Sequence, residues 1–312
     1  MTEAKPLVSI ILPCYNNAET LSRTVRSIQA QTQTDWELIA VDDGSRDDTH
    51  QVLLALAGGE PRMRVIHQEN GGVSAARNAG MLAARGEWLS FADADDHLLE
   101  HAFAHLLSMT DEDTDIVCGA YVMRYRDEGN REEKHACADG DLQVVLESLI
   151  RGDSALNSMC ARLYRRSLIL EKGILAPVGV KIGEDVLFNL DAFAAARAWR
   201  MSEETIYVYE FGGDSAMTRA KKDAYRKNMS MIDGIGRFIR REKMETALFR
   251  AHIDIYVRTL RADRGRLRAA MAMTYAMTER ITAGVEFSKL CAKQKLYYIA
   301  LRVLPASSVL LP

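Results

Sequence analysis

Three acidic residues follow directly after a short apolar run, in the segment Trp88-Leu89-Ser90-Phe91-Ala92-Asp93-Ala94-Asp95-Asp96. The apolar run is typical of a buried strand, and ligands of open α/β sheets bind beyond the carboxyl ends of strands. Three neighbouring carboxylates repel one another unless a cation or hydrogen-bond donors lie close by. A hard divalent ion such as Mg²⁺ or Mn²⁺ prefers oxygen ligands of this kind. The segment therefore predicts a metal site, and the alternative is an acidic turn whose Asp93 or Asp95 caps the next helix.

Two further polar groups follow predicted strands. Cys14-Tyr15-Asn16 comes after the apolar residues 7–12, and Asp42-Asp43-Gly44-Ser45 comes after residues 37–41. Apolar residues at helical spacing separate these strands, so the sequence predicts a mostly parallel, doubly wound α/β sheet whose polar strand ends meet at one rim. A second acidic pair, Glu184-Asp185, opens a predicted helix. Its alternative role is to complement the positive end of that helix.

The charge of the chain is unevenly distributed. With 48% hydrophobic and 27% charged residues over 312 positions, the composition is that of a globular protein with a substantial core. Residues 219–312 contain 20 Lys and Arg against 8 Asp and Glu, a net charge of +12, whereas residues 1–218 carry −15. We therefore predict an α/β region over 1–218 and a basic α-helical region over 219–312. No zinc-finger spacing or RNA-binding motif accompanies the basic charge, so nucleic acid is not expected as a partner.

The cysteines and both chain ends favour a cytoplasmic location. The five cysteines are odd in number and lack metal-ligand or redox spacing, so we expect reduced thiols. Neither a signal peptide nor a membrane-spanning run of 18 apolar residues is predicted. Lys289, Lys293 and Lys295 precede an apolar stretch at 296–304, a pattern typical of a helix at the inner face of a membrane. The alternative is docking on the chain's own α/β region or on a partner subunit of an oligomer.

Five motifs together resemble the glycosyltransferase family 2 enzymes, which have the GT-A fold. They occur in the family's order and approximate spacing over residues 7–218, about two thirds of the chain. The motifs are VSIILPCYN at 8–16, VDDGS at 41–45, NGGVSAARNAG at 70–80, FADADD at 91–96 and ED at 184–185. The resemblance implies an inverting enzyme that uses a nucleotide-diphosphate sugar, most often a UDP-sugar. It also implies a nucleotide-sugar half over about 1–120 and an acceptor half over about 121–218.

The resemblance assigns a donor site to the first strand ends. Pro13 and Tyr15 lie where family members wall the base and ribose. Asp43 matches the carboxylate that accepts a hydrogen bond from uracil, which suits an acceptor-only group. Arg77 lies where members place a basic contact to the nucleotide, and a guanidinium suits diphosphate oxygens. From the residues alone, the alternatives are Asx-turn chemistry for Asp42 and Asp43 and a solvated arginine on a helix.

The resemblance also assigns a metal site and a base. Asp93 and Asp95 match the family's metal motif, with Asp93 also facing the donor's ribose, and a bound Mn²⁺ or Mg²⁺ would offset charge on the departing diphosphate. Asp96 is out of alternation and is expected to fix the loop. Asp185 matches the catalytic base that removes the proton of the acceptor hydroxyl. Glu184 is its neighbour, which orients it or binds the acceptor.

Two expectations concern the acceptor side. Arg162 lies in a motif that borders the acceptor pocket in the family, and it is the candidate contact for an acidic acceptor. A lipid-linked saccharide acceptor would explain a membrane-facing C-terminal region. Family members often carry Tyr-Arg after the last core strand, where this chain has Tyr209-Glu210. The usual diphosphate contact is therefore not expected from this strand, and Arg219 is the candidate substitute.

The favoured function is thus metal-dependent, inverting sugar transfer in the synthesis of cell-surface polysaccharides or glycoconjugates. The alternative is a non-catalytic module of the same fold that binds a nucleotide sugar or a partner protein. That alternative predicts a missing metal ligand or base, but Asp93, Asp95 and Asp185 are all present. Nucleotidyl transfer would need a glycine-rich phosphate loop after the first strand, where this chain has Pro13-Cys14-Tyr15-Asn16.

Overall fold

A computed structural model of the chain describes residues 5–137, 140–152 and 154–211, together with positions 231, 234, 235, 237, 238, 288 and 295. The chain divides into two compact units, Met1–Val145 with Ser154–Met231 and Leu146–Asp153 with Ile232–Pro312. The site described below lies within the first unit. The predicted helical region over 219–312 falls almost wholly outside the described residues, and its boundary stays a prediction.

Nine strands within the described residues form one sheet. They are β1 (Val8–Cys14), β2 (Trp36–Asp42), β3 (Met63–His67), β4 (Trp88–Phe91), β5 (His97–Leu98), β6 (Thr114–Tyr125), β7 (Arg131–His135), β8 (Arg162–Arg165) and β9 (Ala198–Phe211). The described helices are α1 (Leu21–Gln29), α2 (Thr49–Gly58), α3 (Val73–Ala83), α4 (Ala102–Ser108), α5 (Leu142–Arg151), α6 (Ser154–Asn157), α7 (Arg166–Glu171) and α8 (Glu184–Ala195). A short 3₁₀ turn, Arg126–Glu128, follows β6.

The strand order is β3-β2-β1-β4-β8-β6-β9-β5, with β7 paired to β6. Strands β3, β2, β1 and β4 are parallel, and so are β6 and β9. Every residue of β1 and β2 is buried, because parallel strands that alternate with helices are covered on both faces. The predicted α/β class is therefore confirmed.

Strand β8 differs from that pattern, because it runs antiparallel to both of its neighbours, β4 and β6. Its four residues place one basic residue on each side of Leu163 and Tyr164, a segment without alternation and too short to predict a strand from sequence. The insertion of β8 separates the parallel nucleotide half of the sheet from the mixed half. Residues from both halves contribute to the site.

Two loops at the carboxyl ends of β1 and β2 are tied together. Backbone N–H groups of residues 16–18 donate to side chains that follow β2, and the backbone of that loop donates back to the first loop. The four hydrogen bonds join Asn16 N to Ser45 Oγ (3.1 Å), Asn17 N to Thr49 Oγ1 (2.7 Å), Ala18 N to Asp47 Oδ2 (3.2 Å) and Arg46 N to Asn16 Oδ1 (2.8 Å). Because each bond crosses from one loop to the other, the rim is held in one arrangement before any ligand arrives.

Two other expectations can be compared with the described residues. Cys14, Cys118, Cys137 and Cys160 are buried and form no disulfide among the described residues, and Cys291 lies outside the described residues. Among the helices that the structure describes, none combines the length and the apolar character needed to cross a bilayer.

Candidate active site

The carboxylate of Asp43, one residue beyond β2, is enclosed by hydrogen-bond donors. Its Oδ1 accepts from Gln68 Nε2 (2.7 Å) and from the Gly71 N–H (2.9 Å), and its Oδ2 accepts from the Gly72 N–H (2.7 Å). Asn70 Nδ2 donates to the carbonyl oxygen of Asp43 at 2.9 Å. A carboxylate offers about four acceptor positions. One position, on Oδ2, therefore remains for a donor on a ligand.

The turn before this carboxylate depends on Gly44 and Asp42. Gly44 has φ +69°, and a Cβ there would lie 2.8 Å from the backbone nitrogen of Asn70, so a side chain is excluded. Asp42 Oδ1 accepts the N–H of Ser45, three residues further on, at 3.0 Å, and this bond closes the turn. Burial acts to raise the pKa of Asp42, but hydrogen bonds from Ser45 and His67 outweigh it and hold that pKa below its ordinary value. Asp42 thus shapes the turn, whereas Asp43, of which 2% is exposed, keeps the spare acceptor position on Oδ2 at the strand end.

The acidic turn after β4 is held by its backbone. Three side chains of α1, those of Thr20, Arg23 and Thr24, donate to carbonyl oxygens of residues 94–96. The Asp96 N–H donates to the Asp93 carbonyl at 3.2 Å, which closes the turn. These bonds involve only backbone groups of the turn. They fix its course without occupying the carboxylates of Asp93, Asp95 or Asp96.

Asp96 points into the protein, as its place in the alternation predicts. The Tyr207 hydroxyl donates to its Oδ2 at 3.0 Å, and the Glu210 N–H donates to its Oδ1 at 2.9 Å. Burial, reinforced by the charges of Asp93 and Asp95, raises the pKa of Asp96 well above its ordinary value. Tyr207 also accepts the Asp93 N–H at 3.0 Å, so one hydroxyl joins both ends of the turn. Tyr207 was not identified from sequence, although its apolar strand pattern placed it on a strand.

Arg77, on α3, is the centre of the site. Its guanidinium is buried, with 4% of the side chain exposed, and it contacts acids from two distant parts of the chain. Nη1 donates to Asp185 Oδ1 (2.5 Å) and to Glu184 Oε1 (3.3 Å), and Nη2 donates to Asp93 Oδ1 (3.1 Å). Burial alone would lower the pKa of Arg77, but these three carboxylates raise it well above its ordinary value. The predicted contact from Arg77 to the nucleotide stays a prediction, because here the guanidinium binds the acids.

Helix α8 brings its first two residues, Glu184 and Asp185, to Arg77. Asn189, one turn further along, donates from Nδ2 to the carbonyl oxygens of residues 156–158 at 3.0–3.1 Å. Its Oδ1 accepts the Tyr164 hydroxyl at 2.7 Å. These buried bonds fix the position of the helix. The acids therefore both complement the positive end of α8, as the alternative from sequence proposed, and face the acidic turn.

Negative charge exceeds positive charge at this rim. Burial raises the pKa of Asp95 to about 6, with the charge of Asp93 adding to it. Burial also raises the pKa of Glu184 to about 7, where Asp185 adds to the effect and Arg77 opposes it. Among the described residues, Arg77 is the cation that contacts these carboxylates. An oxygen-rich group with this excess of charge fits a hard divalent cation held by Asp95 and Asp93.

The structure brings the other predicted donor residues to the same rim. The Asp43 N–H donates to the Cys14 carbonyl at 2.9 Å, so Pro13 and Tyr15 flank the position of Asp43. Pro13 is buried at the end of β1, whereas 42% of Tyr15 is exposed. An exposed aromatic ring beside a carboxylate with one free acceptor position is a surface on which a nucleobase can stack.

Arg162 is not brought to the site. Only 1% of it is exposed, and its Nη2 donates to the Ala155 carbonyl at 2.7 Å. Its guanidinium lies over the ring of Phe193 on α8. Its predicted role as an acceptor contact therefore has no support from its position, because a side chain buried under α8 is closed to a soluble saccharide.

Glu210 has a structural explanation. Its carboxylate accepts from Arg126 Nε (2.7 Å) and Arg124 Nη1 (3.3 Å), while its N–H holds Asp96. The residue that stands where the family often carries arginine thus anchors the end of β9 to the segment after β6. Arg219, the candidate substitute, lies outside the described residues.

Comparisons with known proteins agree on the family and the fold. The family model described as "Glycosyl transferase family 2" matches residues 9–171, just over half of the chain. The "Uncharacterized glycosyltransferase EpsJ" of Bacillus subtilis is 33% identical over 214 residues, which cover 65% of this chain and 61% of EpsJ. The "Poly(ribitol-phosphate) beta-N-acetylglucosaminyltransferase TarP" of Staphylococcus aureus is 29% identical, with 65% of this chain and 61% of TarP covered. The chain thus spans less than two thirds of either relative.

Solved structures confirm the GT-A fold. The structure of S. aureus TarS 1-349 in complex with UDP-GlcNAc matches with a TM-score of 0.76 at 19% identity, covering 97% of this chain and 89% of TarS 1-349. The mannosyltransferase PcManGT of Pyrobaculum calidifontis, solved with GDP-Man and Mn²⁺, matches with a TM-score of 0.51 at 18% identity, covering 98% and 87%. At these identities the likeness concerns the fold alone.

Proposed function

The chain belongs to glycosyl transferase family 2, and we propose that it transfers a sugar from a nucleotide-diphosphate sugar to a hydroxyl group of a saccharide or lipid-linked saccharide. One observation carries the proposal. Arg77 joins Asp93, from the end of a parallel strand, to Glu184 and Asp185, from the start of α8, at the rim that also holds Asp43. The meeting of these four acids at one edge of the sheet supports our assignment of a metal-binding turn, a catalytic base and a nucleobase-binding carboxylate to it.

The remaining acceptor position on Asp43 favours particular nucleobases. A carboxylate that is already fixed by three donors accepts one more N–H, and uracil, thymine and guanine carry a ring N–H, whereas cytosine and adenine do not. We propose a UDP-sugar as the donor. That TarS was solved with UDP-GlcNAc supports this, and that PcManGT was solved with GDP-Man makes a GDP-sugar the next candidate.

We propose that Asp95 and Asp93 hold Mn²⁺ or Mg²⁺. The oxygen donors, and the pKa of about 6 that burial and Asp93 impose on Asp95, are what an incompletely neutralised cation site produces. When bound, the ion would offset the negative charge of the departing diphosphate. Arg77 holds Asp93 at a fixed distance from the base and offsets the mutual repulsion of the acids.

We propose Asp185 as the general base of an inverting displacement. The acceptor oxygen bonds to the anomeric carbon, the bond from that carbon to the diphosphate oxygen breaks, and the diphosphate leaves with the electron pair. The acceptor's proton passes to the carboxylate of Asp185. With 24% of its side chain exposed, Asp185 can be reached by an acceptor, while Glu184 (15%) lies deeper and orients its neighbour.

The acceptor is proposed from the relatives. TarP is named for transfer to poly(ribitol-phosphate), and another relative is named "Chondroitin synthase", 38% identical over 113 residues. A polymer or lipid-linked saccharide of the cell surface is therefore the acceptor class that we propose. The +12 net charge of residues 219–312 would then hold the protein against anionic lipids at the inner face of the membrane.

The test is a mass-spectrometric panel of donor turnover by the purified full chain. UDP-, GDP-, dTDP- and CMP-sugars are incubated with Mn²⁺, with Mg²⁺ or with a chelator, and release of the nucleotide is followed. We expect slow, metal-dependent UDP release from one sugar. Asp185→Asn should lower it by about 10²–10⁴-fold, the range for loss of a general base, and Asp95→Ala should lower it by at least about 10²-fold.

Asp191→Asn is the matched control, because Asp191 lies on the same helix as Asp185, outside the cluster. It should retain turnover. UDP binding by calorimetry separates the roles, since Asp185→Asn should bind UDP like the parent chain while Asp95→Ala should bind it more weakly. Neither turnover nor binding with any nucleotide would overturn the proposal in favour of a partner-binding module of the same fold. UDP binding without turnover under any condition would favour the non-catalytic nucleotide-sugar module.

A further inference from the structure

We propose that Asp42, His50 and His67 form a second metal site, which binds Zn²⁺ through two imidazole nitrogens and one carboxylate oxygen. Asp42 ends β2, His67 ends β3, and the two residues are partners in the parallel register. His50 lies in the first turn of α2. The three side chains bring their ligand atoms within 4.8 Å of one another.

Both imidazoles present Nδ1 to the same carboxylate oxygen. His67 Nδ1 lies 2.8 Å and His50 Nδ1 lies 3.0 Å from Asp42 Oδ2. The ring centroids are 4.8 Å apart, with the ring planes at 62°. The two nitrogens and the oxygen come from three different elements and form a triangle of possible metal ligands.

The contact of His50 is not explained by a hydrogen bond. Its Nδ1 is buried and makes no hydrogen bond within the described part of the chain, although Asp42 Oδ2 lies 3.0 Å away. The in-plane direction of Nδ1 therefore does not point at Oδ2, and a cation displaced from the line between the two atoms would attract both of them. A metal ion would join the nitrogen and the oxygen. At bond lengths of about 2.0–2.2 Å each nitrogen would move a few tenths of an ångström away from the oxygen, and the two nitrogens, which lie within 4.8 Å of each other, would move closer together.

The donor set selects the kind of metal. Imidazole nitrogen suits Zn²⁺ and the later transition ions, whereas Mg²⁺ takes oxygen ligands. Asp42 Oδ1 is held by the Ser45 N–H at 3.0 Å, an outer contact of the kind that orients metal-bound carboxylates. The His67 side chain is 58% exposed, so an ion can enter from solvent and a water molecule can complete the tetrahedron.

The position of the site suggests what the ion does. Asp42 and His67 directly precede Asp43 and Gln68, and the loop that begins with Gln68 supplies the donors to Asp43. A metal bound here would clamp β2, β3 and the start of α2 beneath that carboxylate. We therefore infer a structural ion that stiffens this rim, distinct from an ion at Asp93 and Asp95.

Zinc binding by the metal-stripped full chain tests the inference. Calorimetry near neutral pH, with excess Mg²⁺ to occupy the all-oxygen sites, should show one equivalent of Zn²⁺ bound. That equivalent should be lost, or weakened more than about tenfold, in His50→Gln and in His67→Gln, because even loss of an outer contact weakens metal sites by about that factor. Zn²⁺ should also raise the Tm of the parent chain more than that of either variant.

The matched control is the double variant His101→Gln with His105→Gln. These rings also lie close together, at 6.5 Å, but they face separate partners, Glu204 and Ser202. The control should keep the full equivalent of Zn²⁺. A measurement on the parent chain keeps the test decisive even where a variant does not fold. In NMR spectra of the seven histidine rings, Zn²⁺ should shift the signals of two. The inference is overturned if the parent chain does not bind Zn²⁺, or if it binds Zn²⁺ no better than the His50 and His67 variants do. Shifts in the signals of other histidines would overturn it as well.

Discussion

The carboxylates at the end of β2 and those around the end of β4 meet very different surroundings. Asp43 receives three hydrogen bonds on its carboxylate. Around the second strand end, Asp93, Glu184 and Asp185 share one buried guanidinium, and Asp95 has a pKa raised to about 6 by burial and by Asp93. Asp43 is surrounded by hydrogen-bond donors before a ligand binds, whereas the group around the end of β4 lacks positive charge.

The difference teaches how the two halves of a donor molecule would be recognised. A nucleobase is neutral and needs a rigid acceptor, which a carboxylate fixed by donors provides. A diphosphate is anionic and would be repelled by free carboxylates, so a donor diphosphate bound on that side would need a cation beside it. The end of β2 thus offers an acceptor that is already fixed, and the end of β4 offers acids that lack a counter-charge. Four predictions test these two properties separately.

The largest effect is expected for Arg77→Met. Removing the buried cation leaves three carboxylates without compensation, and loss of one partner of a buried ion pair typically costs about 3–5 kcal/mol. The free energy of unfolding, measured by urea titration without metal, should fall by that amount. The exposed pair of Arg200 with Asp111 provides the control, because Arg200→Met should change stability little. Equal effects of the two substitutions would contradict the central role of Arg77.

A pH effect is expected next, through Glu184. Burial and Asp185 raise its pKa from 4.5 to about 7, so the folded chain binds this proton more tightly than the unfolded chain does. Stability should therefore be highest at low pH within this window and fall as the pH rises from about 4.5 to about 7, by on the order of 3 kcal/mol.

The measurement is the slope of the free energy of unfolding against pH, in the presence of a chelator, for the parent chain and two variants. Glu184→Gln should flatten the slope, because the amide cannot ionise. Glu203→Gln, at an exposed position of β9, should leave it unchanged. If the stability of the parent chain instead rises with pH across the whole window, the negative charges around Glu184 are already neutralised and the prediction is wrong.

A smaller loss is expected for Asp43→Asn. An asparagine amide would turn an NH₂ group toward at least one of the three donors, and an unsatisfied buried donor costs about 1–3 kcal/mol. Urea unfolding should show that loss, and UDP affinity should fall with it. The exposed Asp48, which caps nothing with its side chain, is the control, since Asp48→Asn should be neutral. No loss at Asp43 would mean that the β2 end is less preorganised than its hydrogen bonds indicate.

The smallest effect is expected for Tyr207→Phe. It removes the hydroxyl that joins the Asp93 N–H to Asp96, and a typical hydrogen bond contributes about 1 kcal/mol net. Tyr125→Phe is the matched control, because the Tyr125 hydroxyl contacts only a sulfur atom, at 3.5 Å. Metal affinity should fall with Tyr207→Phe, since the turn that carries Asp93 and Asp95 loses its anchor. If neither the free energy of unfolding nor the metal affinity changes, the hydrogen bonds from the α1 side chains are enough to hold the turn in place.

Much of the fold was predictable because its signals are local. Strands β1, β2 and β4 are continuous apolar runs that end at polar residues, and the order of the family motifs indicated the rest of the nucleotide half. The direction of β8 was not predictable, since four residues of mixed character carry no period. The inward position of Asp96 was expected from alternation along an extended chain, but residues 93–96 form a hydrogen-bonded turn, so that position follows from the turn and from the contacts with Tyr207 and Glu210.

The partners of the site residues were harder to predict than the residues themselves. The sequence indicated Arg77 and Glu184-Asp185 separately, but their contact depends on how α3 and α8 pack. Arg162 was assigned by resemblance to the acceptor pocket, and the structure buries it. His50 and His67 carry no metal-ligand spacing, because they meet across two neighbouring strand ends rather than along one element.

The contact between Arg77 and Asp185 spans 108 positions of the chain, and this has a consequence for how the protein is made. The pairs β1–β2 and β2–β3 join residues that are close in sequence, so the nucleotide rim can form while the chain is still being synthesised. Arg77 and Asp93 leave the ribosome long before Asp185 does. During that interval the guanidinium has one of its three carboxylate partners. The rim around Asp43, proposed to bind the nucleobase, should therefore form first. The cluster of Arg77 with Glu184 and Asp185 should be completed last, when α8 docks.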